Sequence, residues 1–258
     1  MIRLCALAPA GTDGLCLCMR LRLWGTGLTF PAGTTEAEAE ALGRRYRAAG
    51  VRIVQVEEEK DLTEPTAVQS LRRALRLAAA ADALSVVTGA GRGDAARLDD
   101  VARTIRAILG ATPARVPVRL LLETRGATPL SSLLAASEAV RRVAHPAFGI
   151  LFDPVGLLNI DTYFDNGSFL RRSVQQLGSA LGLVHARDAL LHPGGFDFRL
   201  SIEPVGSGAL DYAALLQALS AMPGDVPLCV EGAASEAEVA AAVEHLRNLA
   251  GRIGVELG

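Results

Sequence analysis

The sequence predicts an α/β protein of the (β/α)8 TIM-type barrel class. Apolar runs of strand length alternate with helix-patterned segments through most of the chain, the arrangement that gives a parallel sheet covered by helices. The runs are near-continuous rather than alternating, as strands buried on both faces require. The 258 residues contain no low-complexity linker and no break in composition, so one domain spanning 1–258 is expected.

The strand-like runs, in order, are Leu15 to Leu21, Val51 to Glu57, Leu84 to Thr88, Val118 to Glu123, Phe148 to Asp153, Leu181 to His185 and Pro227 to Glu231. Between them lie "TTEAEAEALGRRYRAAG", "TAVQSLRRALRLAAAAD", "RLDDVARTIRAILG", "PLSSLLAASEAVRRVA", "NGSFLRRSVQQLGSAL", "DYAALLQALSAM" and "SEAEVAAAVEHLRNLAG", with apolar residues at three-to-four spacing. Thr34 or Thr35 opens the first helix before an acidic turn and Gly50 closes it, while Ser235 and Glu238 form a capping box. The strand count is one short of eight. Either "IRLCALA" is a shortened first strand, or the first βα unit is missing, because residues 1–33 offer little helix-forming sequence. An open doubly wound sheet lacks its usual GxGxxG turn; "GAGRGD" after Thr88 is a weak match.

Composition narrows the function. Half of the residues are hydrophobic, 21% are charged and the net charge is -2, which describes a globular protein and argues against nucleic-acid or acidic-membrane partners. Lys60 is the one lysine among 26 basic residues, so Schiff-base chemistry has a single candidate, set among glutamates that favour a solvated loop. Cys5, Cys16, Cys18 and Cys229 follow no framework spacing and read as reduced, buried thiols. Alternation in "GLCLCMRL" makes Cys16 and Cys18 inward-facing strand residues. The apolar amino-terminal segment, about six residues, is too short for a signal or a membrane span, so a cytoplasmic location is expected.

The last four strands end alike: "LLLE" at Glu123, "ILFD" at Asp153, "GLVH" at His185 and "LCVE" at Glu231. A single acidic residue ending a strand is ordinarily a helix cap or a solvated turn. Four metal-ligand types at the carboxyl ends of four consecutive strands, 30, 32 and 46 positions apart, would instead converge on one barrel mouth. Three crowded carboxylates repel one another unless a cation neutralises them. One divalent ion supplies that charge; mixed oxygen ligands with one imidazole suit Mn²⁺, Mg²⁺ or Co²⁺, with Zn²⁺ within range.

These residues resemble the xylose isomerase-like sugar phosphate isomerase/epimerase family. The resemblance rests on "RLLLET" at 119–124, "HPAFGILFDPVGLLN" at 145–159, "GLVHARD" at 182–188, "VGSGALDYAALLQAL" at 205–219 and "PLCVEG" at 227–232, and it spans roughly Val51 to Leu246. It implies that Glu123, Asp153, His185 and Glu231 bind one divalent metal and that Glu123 and Glu231 are the catalytic acid and base. The expected substrate is a small keto-sugar or polyol ketone, deprotonated next to its carbonyl to give an enediolate. Arg187 is similar to the basic residue of the family's HxKD strand end and is the candidate substrate contact, with a salt bridge to Asp188 or another neighbour as the alternative.

The chain departs from the family at two positions. Gly156 stands where many epimerases have a substrate-contacting histidine, and Leu191 where some members have an arginine. Gly206-Ser-Gly208 reads as a plain turn rather than a phosphate loop. His145 reads as a surface loop residue at the far end of its strand and His245 as structural; reaching the mouth is the minor reading for His192, and covering the pocket edge the minor one for Asn159. The same metal site also suits an inosose-type dehydratase, and a non-catalytic degenerate barrel is the reading from another class. A multi-zinc endonuclease with this fold would need more than four histidines and a basic track. Whether copies associate into a homo-oligomer is left open.

Overall fold

A computed structural model of the chain describes residues 1–110, 118–192 and 198–258. Eight parallel strands close into a barrel: β1 (Ile2–Ala6), β2 (Gly25–Leu28), β3 (Arg52–Glu57), β4 (Ser85–Thr88), β5 (Arg119–Glu123), β6 (Phe148–Phe152), β7 (Leu181–Ala186) and β10 (Val226–Val230), which pairs back onto β1. Strands β8 (Asp188–His192) and β9 (Arg199–Glu203) form a separate antiparallel hairpin inserted between β7 and the next helix. Helices α2 (Glu36–Ala48), α3 (Ala67–Ala80), α4 (Leu98–Gly110), α5 (Leu133–Val143), α7 (Asn166–Leu177), α8 (Tyr212–Ser220) and α9 (Glu236–Ile253) fall on the seven segments read as helices. The four-residue α6 (Ile160–Tyr163) precedes α7.

The amino-terminal reading needs correction. Leu15 to Leu21 is not a strand but lies within helix α1 (Gly14–Leu21), opened by Asp13, whose carboxylate accepts from the Leu15 and Cys16 N–H groups. Over eight residues the strand and helix templates overlap: Leu15 and Leu17 alternate with exposed Cys16, but Gly14, Leu17, Cys18 and Leu21 also form a helical stripe. The cap decides the matter, and Cys16 is consequently exposed while Cys18 is buried. The first βα unit is present, with "IRLCA" as a full strand and α1 as its short helix. Strand β2, "GTGL", carries two glycines and no apolar run, which hid it.

Capping follows the predicted chemistry. Thr35 and Glu38 make a reciprocal capping box on α2, worth about 1 kcal/mol for the threonine. Ser235 caps α9 through the Glu238 N–H, while the Glu238 carboxylate reaches one residue further back, to the Ala234 N–H.

Two apolar layers fill the molecule. Inside the barrel pack Cys5, Val54, Val87, Leu121, Leu151, Leu183 and Cys229. Their neighbours along the strands, such as Leu4, Leu120, Leu122, Ile150, Val184 and Leu228, face outward into the larger core beneath the helices. This alternation sets the phase of the side chains at the ends of β5, β6, β7 and β10.

Candidate functional site

Because side chains repeat every second residue along a strand, the residue two places beyond an inner-layer residue also points inward. Leu121 is followed in this way by Glu123, Leu151 by Asp153, Leu183 by His185 and Cys229 by Glu231. The strand ends therefore present a layer of ionisable groups directly above the apolar barrel filling. Glu123, Asp153 and His185 are buried, and the Glu231 side chain is 22% exposed.

The structure brings three of the four predicted ligands to one point. Donor atoms of Glu123, His185 and Glu231 lie within 4.8 Å of one another. His185 Nδ1 is 2.7 Å from Glu231 Oε2 and 3.9 Å from Glu123 Oε1. Asp153 is next to them but differently engaged: its Oδ1 accepts from the Val155 N–H and its Oδ2 meets the Arg187 guanidinium. Its backbone is locked by Thr124, whose Oγ1 accepts from the Asp153 N–H at 3.0 Å.

Arg187 does not pair with Asp188. Its guanidinium stands among the carboxylates, with Nη2 against Asp153 and 3.6 Å from Glu123 Oε1, and Nε 3.4 Å from Glu231 Oε2. A second cation, missed in the sequence, is Arg125, which bridges Glu123 and Glu59. Arginine thus supplies part of the neutralising charge that the sequence reading gave wholly to a metal. Asp188 is buried and satisfies backbone instead, accepting from Ala189, Gly206 and Leu210 N–H groups. Those contacts turn the Gly206–Gly208 loop toward a carboxylate, which makes it a turn rather than an anion cradle.

Two further residues of the mouth come from β3. Register skips Val54 between the Thr26–Ile53 and Gly27–Gln55 pairs, a β-bulge that reverses the alternation. Val54 faces the barrel interior, Val56 faces the outer core, and Gln55 and Glu57 turn into the mouth. Gln55 Nε2 donates to Glu57 Oε1 at 2.9 Å, and its Oε1 is 3.1 Å from His185 Nε2. Burial pushes the Glu57 carboxyl above the usual range; the His185 ring pulls it down, and the charges of Glu231 and Glu123 push it up again. Burial likewise raises Glu231, but the His185 ring at its side, helped by Arg187 and Arg125, outweighs this and holds it below the ordinary glutamate value.

Space for a ligand exists on either side. A cavity of about 340 Å³ at the ends of β1–β3 is lined by Leu7, Gly27, Leu28, Tyr46 and Glu57 among others, and one of about 730 Å³ by Glu59, Lys60, Gly89, Arg92 and Arg125. Gly156 cannot carry a side chain without displacement, because a Cβ there would lie 2.6 Å from the Thr124 carbonyl oxygen. Leu191 sits in β8, where its N–H donates to the Tyr163 hydroxyl, and His192 contacts Ser201 across the same hairpin. Asn159 caps α6, Lys60 pairs with Glu58, and His145 accepts from the Ala147 N–H before β6. His245, in α9, packs against Gly206.

Comparison with known proteins agrees with this architecture. The sequence matches the family described as xylose isomerase-like TIM barrel over residues 7–249, and the chain belongs to that family. No curated protein matches it in sequence. The probable 3-DHS dehydratase AsbF from Bacillus anthracis has a similar structure at 18% identity and a TM-score of 0.73, covering 96% of this chain and 99% of that one. A xylose isomerase-like TIM barrel protein from Mycobacterium smegmatis, solved in complex with magnesium, aligns at 16% identity and a TM-score of 0.71, covering 97% of each chain. D-psicose 3-epimerase, solved in the presence of D-fructose, aligns at 10% identity and a TM-score of 0.71, over 97% of this chain and 99% of that one. At these identities the likeness is one of fold. Among the described residues no helix is long and apolar enough to cross a membrane.

Proposed function

We propose that this member of the xylose isomerase-like family is a divalent-metal-dependent isomerase or epimerase of a small keto-sugar or polyhydroxy ketone. The observation that carries the reading is the convergence of Glu123, His185 and Glu231 from three strands onto one point. Their chemistry fits an ion. His185 Nδ1 and Glu231 Oε2 are buried 2.7 Å apart without an aligned hydrogen bond, a costly state that a cation would relieve, whereas Asp153 Oδ2 already meets the Arg187 guanidinium. Glu123, His185 and Glu231 would hold it, with Asp153 as the fourth ligand read from the sequence; the mixed oxygen and nitrogen set suits Mn²⁺, Mg²⁺ or Co²⁺, with Zn²⁺ within range.

When bound, such an ion polarises the substrate carbonyl and stabilises the negative charge that develops as the neighbouring C–H is deprotonated. The residues do the rest. Glu231, at the end of β10 beside His185, accepts or returns a proton at that carbon, and Glu123 is its counterpart on the other side of the site. Arg125 fixes one Glu123 oxygen and leaves the other turned to the centre. Arg187 is the proposed substrate contact, with 17% of its side chain reaching solvent at the mouth. Two cavities of small-molecule size flank the centre, one reached by Glu57 and the other by Arg125, and support a small-molecule substrate.

A dehydratase acting through the same deprotonation is the second reading, favoured by Gly156, which leaves no side chain where the resemblance implies a substrate-contacting histidine in many epimerases. Incubating candidate ketones in D₂O separates the two: solvent deuterium in a recovered isomer marks the first, loss of water the second. The metal itself is tested by elemental analysis of protein purified without chelator. Roughly one divalent ion per chain is expected in the parent, and its loss in His185→Ala. A parent that stays empty at saturating Mn²⁺, Co²⁺, Mg²⁺ and Zn²⁺ overturns the proposal.

A further inference from the structure

We infer that Gln55 is a positioning residue that fixes the proton of the His185 ring on Nε2 and so turns Nδ1, as a bare acceptor, toward Glu123 and Glu231. The inference builds on the metal reading above, but concerns a residue outside the ligand set, on a strand that contributes no ligand.

The direction of the relay follows from donor and acceptor inventory. The group facing Glu57 is the Gln55 NH₂, which donates from Nε2 to the carboxyl Oε1 at 2.9 Å, and a carboxylate oxygen there accepts. Turning the amide over would place its carbonyl against the Glu57 oxygen, two acceptors in contact. The Gln55 carbonyl therefore faces His185, 3.1 Å from Nε2, and only a protonated Nε2 satisfies it. The neutral ring must then carry its lone pair on Nδ1, which lies 2.7 Å from Glu231 Oε2. Lone pair and carboxylate at that distance repel unless a cation or a second proton lies between them, and neither atom has an aligned hydrogen bond.

The fold builds a seat for this amide. Gln55 is fully buried, and the bulge at Val54 points it inward. On the adjacent strand Gly27 leaves the room it needs, since a Cβ there would come within 2.6 Å of Gln55 Cγ. A buried polar side chain held on both sides, with a glycine cleared for it, orients its partner more strictly than packing alone would.

Histidine ring ¹⁵N spectroscopy tests the assignment, since the chain has four histidines and His185→Ala identifies the signal. In the parent, with and without Zn²⁺, His185 Nε2 is expected to carry a proton protected from solvent exchange, and Zn²⁺ should shift Nδ1. Gln55→Leu is expected to lose that protection and to bind Zn²⁺ and Mn²⁺ roughly 10- to 100-fold more weakly. The exchanged pair Gln55→Glu with Glu57→Gln again places an acceptor toward the ring, supported by a donor from position 57, and should restore both properties. A parent ring protonated on Nδ1 alone, or bound to Zn²⁺ through Nε2, overturns the inference, as does Gln55→Leu binding metal as tightly as the parent. If the parent binds no ion yet shows the protected Nε2 proton that Gln55→Leu loses, the metal reading fails and the relay stands.

Discussion

Strands β5, β6, β7 and β10 form one side of the barrel mouth, and β1, β2 and β3 the other. The first group carries its donors in uniform phase, two residues past an inward apolar side chain, on strands rich in Leu and Val. The second group carries no ligand and breaks phase: β2 is half glycine, and β3 bulges at Val54 to aim Gln55 and Glu57 inward. On the proposed function, one side would supply the chemistry and the other orientation and space. A reactive layer of like charges needs such a partner, because His185 and the carboxylates have to be held in place against their own repulsion.

The comparison is most sharply tested at Arg187, the cation that spans the charged side. Arg187→Met leaves three carboxylates with less compensation; breaking a buried ion pair of this kind costs about 3–5 kcal/mol. Melting of the metal-free variant is therefore expected to fall well below the parent, and added Mn²⁺ should recover more stability in the variant than in the parent. Equal responses to Mn²⁺ would show that the guanidinium and the ion do not share the same carboxylates.

On the opposite side, packing dominates. A Cβ on Gly25 would lie 2.5 Å from the Arg52 carbonyl oxygen and 2.7 Å from Val54 Cγ1. Gly25→Ala should cost about 1–3 kcal/mol in urea unfolding, because backbone cannot step aside. Gly251→Ala, in an open position of α9, is the control and should be neutral or stabilising. A neutral Gly25→Ala would mean that β2 is not pressed against β3 as described.

Glu57 gives a smaller, pH-dependent effect. Its folded pKa is raised, chiefly by burial, so the native state binds its proton more tightly than the unfolded chain does. The group therefore costs stability above the ordinary glutamate range, and the cost disappears as pH falls below that range. Glu57→Gln should accordingly melt higher than the parent near neutrality, and the two should converge in acid. A gap that widens in acid would reverse the sign of the argument.

The smallest effect is chemical. Burial pushes Cys5 and Cys229 far up and Cys18 up to about 12, while Cys16 is exposed on α1. A thiol reagent should label Cys16 in the native protein and leave the other three until unfolding. Labelling of none would favour the inward strand that the alternation of "GLCLCMRL" suggests.

What the sequence determined was the barrel from β3 onward and the strand ends at Glu123, Asp153, His185 and Glu231, because buried parallel strands must be continuously apolar and a charged residue ending one is conspicuous. It left the amino-terminal unit undecided, since eight residues fit both periods and Asp13 settles the choice only through the N–H groups it caps. Tertiary structure alone decided which donors meet, that Arg187 and Arg125 share the neutralising charge, and that Gln55 and Glu57 join the mouth. Those outcomes depend on strand register, and a one-residue bulge reverses the facing of everything beyond it without leaving any mark in composition or periodicity.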